Sequence, residues 1–269
     1  MGHPFFIVSV FQGALMRVAV IAVMLFVAAL PAARAQVPPA LDFTAITRAE
    51  RASADCAITF DDGPGPHTGM LLDVLAAKKV KATFFVLGEH VRRYPDIIRR
   101  MVAEGHEVEN HSWDHPDMRK LDEAQRQKEM SETVAELKSL GVTPHFFRPP
   151  YGSYDAALVD QARNQGMEVV LWTHDSVDWR YHSVAQMEGN VVPTGQGAHG
   201  IFLFHDIHDS TIAAMPAVLD ELATKGCNFV TVARWVDDND HPATPMVRPA
   251  SAPAPAKSGL GNWLKALIQ

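Results

Sequence analysis

A chain of 269 residues, 47% hydrophobic and 20% charged, has the apolar content of an ordinary globular protein, and its two cysteines are too few for a disulfide-stapled miniprotein. Its 24 Lys and Arg against 31 Asp and Glu leave a formal charge of -7, no electrostatic footprint for nucleic acid, whose phosphates call for clustered cations. Only one long apolar run occurs, which excludes a multi-span membrane protein and leaves one globular domain as the expectation.

That run comes first in the chain. Arg17 precedes thirteen residues without a polar side chain, 18–30, followed by Pro31 and the small-residue sequence Ala33-Arg34-Ala35. A basic residue, a short apolar core and an A-x-A site describe a secretory signal peptide over 1–35, cleaved before Gln36, and the core is short for a bilayer span. An uncleaved anchor is the alternative, since 5–16 is also mostly apolar and extends the run across Arg17. Export puts the mature chain in the periplasm or outside the cell, an oxidising compartment where two Cys can pair. Losing 1–35 makes the chain more acidic, so neither membrane insertion nor tight adhesion to anionic lipid is expected after cleavage.

After an extension over 36–52, short apolar runs alternate with amphipathic stretches through 53–238. The pattern predicts, in order, strand 56–60, helix 70–78, strand 82–87, helix 95–104, strand 106–109, helix 123–140, strand 145–147, helix 156–165, strand 167–173, strand 201–204, helix 211–224 and strand 228–232. Ala233, Arg234 and Trp235 then close the domain. Seven strands separated by helices call for a mostly parallel α/β sheet, either doubly wound or closed into a barrel. In both, chemistry sits at the carboxyl ends of the strands, and polar clusters fall just after 60, 109, 147, 173 and 204. Convergence of five strand ends on one rim favours the barrel. Cys56 and Cys227 precede the first and last strands, which are neighbours in a barrel, so a disulfide at the amino-terminal rim and two buried thiols both suit them. Beyond the domain, 239–258 carries five Pro among Ala and Ser, a linker composition, and 259–269 sets Leu260, Trp263, Leu264, Leu267 and Ile268 at helical spacing as a short amphipathic tail.

The strand-end clusters carry the chemistry. Thr59-Phe60-Asp61-Asp62-Gly63-Pro64 sets two carboxylates side by side, which raise each other's pKa unless a cation lies between them, although a helix-capping Asp would explain either one alone. His111-Ser112-Trp113-Asp114-His115 spaces two imidazoles four residues apart, so that one helical turn would point both at a shared metal. Two His and one carboxylate with open positions suit catalytic zinc, and the same donors accept cobalt, nickel or iron. Phe146-Phe147-Arg148-Pro149-Pro150-Tyr151-Gly152 sets an Arg at a strand end, able to orient one carboxylate, before a rigid turn that either presents a backbone N–H to an oxyanion or is merely exposed. Asp175-Ser176-Val177-Asp178-Trp179 and Leu203-Phe204-His205-Asp206 follow, the His a candidate general acid or a simple surface residue.

Together these five motifs, spanning 53–236 in the same order, resemble the polysaccharide deacetylase family, also called carbohydrate esterase family 4. The resemblance implies a distorted (β/α) barrel of about seven parallel strands with the active site at the carboxyl-end rim. Carried over, it makes Asp62, His111 and His115 the ligands of one divalent metal, zinc first, and Asp61 the general base held by Arg148. The Tyr151 backbone N–H would help bind the oxyanion, and His205 would protonate the leaving group. Either Asp175 or Asp178 would be the partner of His205, with Asp178, next to the Trp, preferred. Trp179 and Leu203 would wall a pocket for the acetyl methyl.

The implied activity is that of an exported, monomeric hydrolase removing N-acetyl groups from N-acetylglucosamine in peptidoglycan or chitin oligomers, with release of acetate. Two other readings keep the same frame: an O-acetyl xylan esterase, whose alkoxide leaves with little acid assistance, and a non-catalytic glycan-binding protein, which has no need of Asp61 and His205 around a metal.

Overall fold

Every residue of β1 (Asp55–Asp61) is buried, because the strand is paired along both edges and covered on both faces. In this computed structural model, which describes residues 54–240, one edge of β1 pairs with β7 (Gly200–His205). Its other edge is shared, the first half pairing with β8 (Asn228–Val230) and the second with β2 (Thr83–Val86). Outward from β2 follow β3 (Glu107–Asn110), β4 (Phe146–Phe147) and β5 (Glu168–Val169), and outward from β7 comes β6 (His174–Asp175), every pair parallel. Helices α1 (Thr68–Lys78), α2 (Gly88–Arg93), α3 (Pro95–Ala103), α4 (Glu123–Ser139), α5 (Ala156–Asn164), α6 (Val184–Val191), α7 (Asp209–Thr224) and α8 (Val232–Asp240) connect or follow the strands. The fold is the parallel, distorted α/β barrel that was expected. The expected signal peptide over 1–35, extension over 36–52 and tail over 259–269 lie outside the described residues, as does 241–258 of the expected linker.

The predicted strand 167–173 is not continuous. Only its start forms a strand, β5; β6 begins just after it at His174, the two stand at opposite edges of the curled sheet, and 170–173 crosses between them. The Val170 N–H donates to the Phe147 carbonyl at 2.9 Å, whereas the Thr173 N–H donates to the Ile201 carbonyl at 2.8 Å. A segment whose first amide bonds to one strand and whose last bonds to another runs across the sheet and forms no ladder, so it closes the curl without being a strand.

Three helices escaped the sequence pattern. The six-residue α2 is too short for apolar periodicity to register, and the eight residues of α6 bury only Met187 and Val191, too few to set a period. The third, α8, starts at Val232, where a strand was expected to end, and runs to Asp240, into residues read as linker. The Val232 N–H donates to Thr83 Oγ1 at 2.9 Å and the Ala233 N–H to the Glu107 carboxylate, so side chains of β2 and β3 satisfy the first amides of a helix where the sheet ladder stops.

Strand parity sorts side chains between two environments. Cys56, Ile58 and Phe60 of β1, with Phe84, Val86, Phe202 and Phe204, face the outer helices and pack on Leu71, Leu75, Ile98, Met215 and Leu219. The opposite parity, Ala57, Phe85 and Ile201, faces the lumen with Phe146, Val170 and Trp235. Moving up β1 on that inner face, Ala57 gives way to Thr59 and then Asp61, so the lumen is apolar at its amino end and polar at its carboxyl end. Trp235 of α8 plugs the apolar end, its indole N–H donating to the Asp55 carbonyl at 3.2 Å.

At that amino-terminal end Cys56 and Cys227 form a disulfide, with Cα atoms 5.6 Å apart. It fastens β1 to the chain entering β8 and closes a separation of 171 residues, for which chain entropy gives at most about 5 kcal/mol. Reduction is therefore expected to lower the melting temperature. Calorimetry with and without reductant checks this, and an unchanged midpoint would show that the bond contributes nothing.

Candidate metal centre and active site

Asp61 ends β1 and points up the lumen, where its Oδ1 accepts from the Arg148 guanidinium at 2.7 Å. Arg148 follows β4 and is fully buried; it also donates to Thr59 Oγ1 at 2.7 Å and to the Leu171 carbonyl at 2.9 Å, and stacks 3.9 Å over the face of Phe85. With Oδ1 so held, the other oxygen, Oδ2, lies 3.7 Å from His111 Nε2. The next residue, Asp62, takes a left-handed φ of 72°, which turns its carboxylate away from Arg148.

The two imidazoles do not share a helical turn. Residues 111–115 form a loop after β3, with left-handed backbone at Ser112 (φ 76°) and His115 (φ 65°), and the loop folds back on itself to bring the rings within 5.1 Å. Asn110 Oδ1 accepts from the Ser112 N–H at 2.8 Å, and Ser112 Oγ accepts from the His115 N–H at 3.1 Å, which holds that reversal. His111 and His115 each present Nε2 to Asp62 Oδ1 at 3.4 Å, and the three ligand atoms lie within 4.8 Å of one another.

This trio fits a cation. His111 donates from Nδ1 to the Arg148 carbonyl at 2.6 Å, which leaves a lone pair on Nε2. Asp62 Oδ1 is buried with no hydrogen-bond partner. Burial opposes ionisation of Asp62, but the surrounding imidazoles of His111, His205 and His115 outweigh it and hold its pKa well below the usual carboxylate range. Burial keeps His115 below its usual value, on the neutral side that can ligate. Acceptors that face one another across a buried gap repel unless something positive lies between them.

Across the rim, His205 ends β7 in register with Asp61 on β1. Its Nδ1 donates to Asp178 Oδ1 at 2.7 Å, and Asp178 Oδ2 accepts from the His205 backbone N–H at 2.8 Å and Thr211 Oγ1 at 2.7 Å. Burial pushes the imidazole down, but the bond to Asp178 and the charges of Asp178, Asp61 and Asp62 push it up to about 9. Asp175 is not the partner: it accepts from the Val177 N–H at 2.7 Å and caps the turn in which Val177 takes a φ of 56°. That turn aims Asp178 at His205.

Tyr151 sits at φ 60° in the Pro-Pro-Tyr-Gly turn, its exposed ring edge-on to His115 at 4.5 Å. Leu203 is buried on the inner face of β7, two residues below His205, and Trp179 stands exposed just beyond Asp178. Sequence reading missed Thr59, although it lies inside the first motif with the same parity as Asp61. It also missed Thr211 and Asn110, whose roles come from what they face and leave no local signal.

Residues 48–170 match the family model described as polysaccharide deacetylase. The chain is 39% identical over 183 residues to a peptidoglycan-N-acetylglucosamine deacetylase of Bacillus cereus, an alignment covering 64% of this chain and 67% of that protein. It is 36% identical over 178 residues to peptidoglycan-N-acetylglucosamine deacetylase PgdA of Listeria monocytogenes, covering 65% of this chain and only 37% of that longer protein. Among solved structures, the family 4 carbohydrate esterase from Streptomyces lividans in complex with acetate superposes with a TM-score of 0.63 at 35% identity, covering 66% of this chain and 92% of that one.

Two outcomes follow from the geometry. Asp62→Ala, His111→Ala and His115→Ala should each lose bound metal on dialysis, whereas Asp61→Asn, whose oxygen is committed to Arg148, should keep it; elemental analysis reads this directly, and metal loss in Asp61→Asn would exchange the two roles. Asp178→Asn removes the main influence raising His205, so a reaction that needs protonated His205, lost in the wild type as pH climbs through about 9, should fail at lower pH. A pH–rate profile whose basic limb does not move would dissociate Asp178 from the acid.

Proposed function

The chain belongs to the polysaccharide deacetylase family, and on that premise we propose that it is an exported, zinc-dependent, monomeric de-N-acetylase of N-acetylglucosamine-containing polysaccharide, peptidoglycan or chitin oligomers, releasing acetate. The observation that carries the reading is the pairing of Asp61, held by buried Arg148, with His205, held by buried Asp178, in register on adjacent strands beside the Asp62, His111 and His115 trio.

Those three residues would hold the metal, and two nitrogens with one oxygen suit zinc. Bound there, a divalent cation supplies Lewis-acid chemistry, polarising the acetyl carbonyl and making water more acidic. Asp61 Oδ2, turned away from Arg148, takes the proton of the attacking water. The Tyr151 backbone N–H donates to the oxyanion, while Leu203 and Trp179 bound the space for the methyl group. His205, with Nδ1 committed to Asp178, donates from Nε2 to the amide nitrogen, and the amine departs with its new proton. The proton taken up by Asp61 balances the one His205 gives, so one amide and one water become one amine and one acetic acid, which part at neutral pH as an ammonium and acetate.

An amide nitrogen leaves only when protonated, whereas an ester alkoxide leaves with less help, so a His205 raised to about 9 supports amide cleavage over the O-acetyl ester alternative. The Cys56–Cys227 disulfide supports export to an oxidising compartment. Among the described residues no helix is long and apolar enough to cross a membrane.

Incubating the zinc-loaded protein with chitin oligomers, peptidoglycan and acetylated xylan while measuring acetate tests the reading. Release from a glucosamine-containing substrate is expected. Release from xylan alone would establish the esterase instead, and release from none would favour the glycan-binding alternative.

A further inference from the structure

The loop joining the two His ligands is gripped from outside the motif that supplies them. Its carbonyls are held on one side: the N–H groups of Gly88 and Glu89, in the first turn of α2, donate to the Ser112 and Trp113 carbonyls at 3.0 and 3.1 Å. Its amides are held on the other. The Trp113 N–H at 2.9 Å and the Asp114 N–H at 3.4 Å converge on one oxygen, Oε2 of Glu129 on α4. Successive amides following a left-handed residue form a concave nest for an anion, and here a side-chain carboxylate fills it. The Trp113 indole lies against Gly88, where no Cβ fits, and under the Arg92 guanidinium at 4.5 Å, so the loop is enclosed on its remaining side.

The geometry points to Glu129 as a positioning residue that tunes the metal affinity of the Asp62, His111 and His115 trio, by holding the peptides between left-handed Ser112 and left-handed His115 in the arrangement that turns His115 towards His111. The inference rests on the metal-centre reading above. Glu129 touches neither metal ligand nor reacting atoms; it acts through the backbone between the ligands. Without its acceptor, two amides of a partly buried loop lose their partner, and the loop can relax towards conformations in which the His115 ring no longer faces His111. Supports outside the ligand shell commonly change metal affinity by about 10–100-fold.

Three variants separate the acceptor from its charge and reach. Glu129→Ala removes the acceptor, Glu129→Asp keeps the charge but falls one methylene short, and Glu129→Gln keeps an oxygen at the right distance without the charge. Zn2+ affinity of the metal-free proteins is measured by chelator competition, with the visible spectrum of the Co2+-loaded forms as a report on ligand geometry and the metal-free melting temperature as a measure of fold. Roughly 10–100-fold weaker zinc binding with altered cobalt bands is expected in Glu129→Ala and Glu129→Asp, and near-wild-type affinity in Glu129→Gln. Ala is a better helix former than Glu, so the metal-free melting temperature should change little. If Glu129→Ala does fail to fold, the contrast between Asp and Gln decides. Wild-type affinity in the Ala or Asp variant, or a Gln variant as weak as they are, would overturn the inference. A wild type that takes up no zinc would overturn the metal centre itself, and this inference with it.

Discussion

The ion pair between Arg148 and Asp61, sealed inside the lumen, is the constraint on which the rest depends. One guanidinium reaches Thr59 and Asp61 on β1, the Leu171 carbonyl in the segment that closes the curl, and the face of Phe85 on β2. Burial alone pulls its pKa down, and the Asp61 charge counters it. Such a pair adds little net stability over an apolar substitute, yet losing one partner strands the other charge at a cost of about 3–5 kcal/mol. What it secures is arrangement. Because the closing segment bonds to Arg148 as well as to the sheet edges, the curvature of the barrel and the direction of Asp61 are set by the same group.

Backbone strain is concentrated where the chemistry is. Among the described residues, left-handed φ at a non-glycine position occurs at Asp62, Ser112, His115, Tyr151 and Val177, all at the carboxyl-end rim, and otherwise at Lys79, which ends α1. Each costs on the order of 1–3 kcal/mol and persists only where neighbours over-determine it. The restraints are visible: Asn110 holds Ser112, Asp175 holds the turn of Val177, and Glu129 holds the peptides before His115. The rigid lower half, with its apolar lumen, the Trp235 plug and the disulfide, supplies the stability that the rim gives up.

The proposed base and acid are kept apart by partners of opposite sign. Asp61 faces a buried cation and His205 a buried anion, so on adjacent strands in register each is held by a charge opposite to its own, and His205 is raised to about 9. Neither partner is exposed enough for solvent to screen it.

Local pattern was sufficient for the alternation of strands and helices, for the parallel class, for the rim on which the polar clusters gather, and for the motifs Thr59 to Gly63, His111 to His115 and Arg148 to Gly152, because hydrophobic period and turn chemistry are written within a few residues of where they act. It was insufficient wherever a residue's meaning comes from what it faces. The spacing of His111 and His115 suggested a helical turn, but a loop with two left-handed residues, stabilised by Asn110 and Glu129, brings the rings together. Residues 167–173 have the composition of one strand, yet they bridge two sheet edges, because the gap left by the curl fixes the path of the backbone. Asp175 and Asp178 both suit the chain, which gave only a preference for Asp178, and the choice is made by a strained turn that points Asp178 at His205 and spends Asp175 as its cap. Thr211 and Glu129 join the site from helices that carry no motif, since a hydrogen bond formed across the fold leaves no periodic trace in the sequence that makes it.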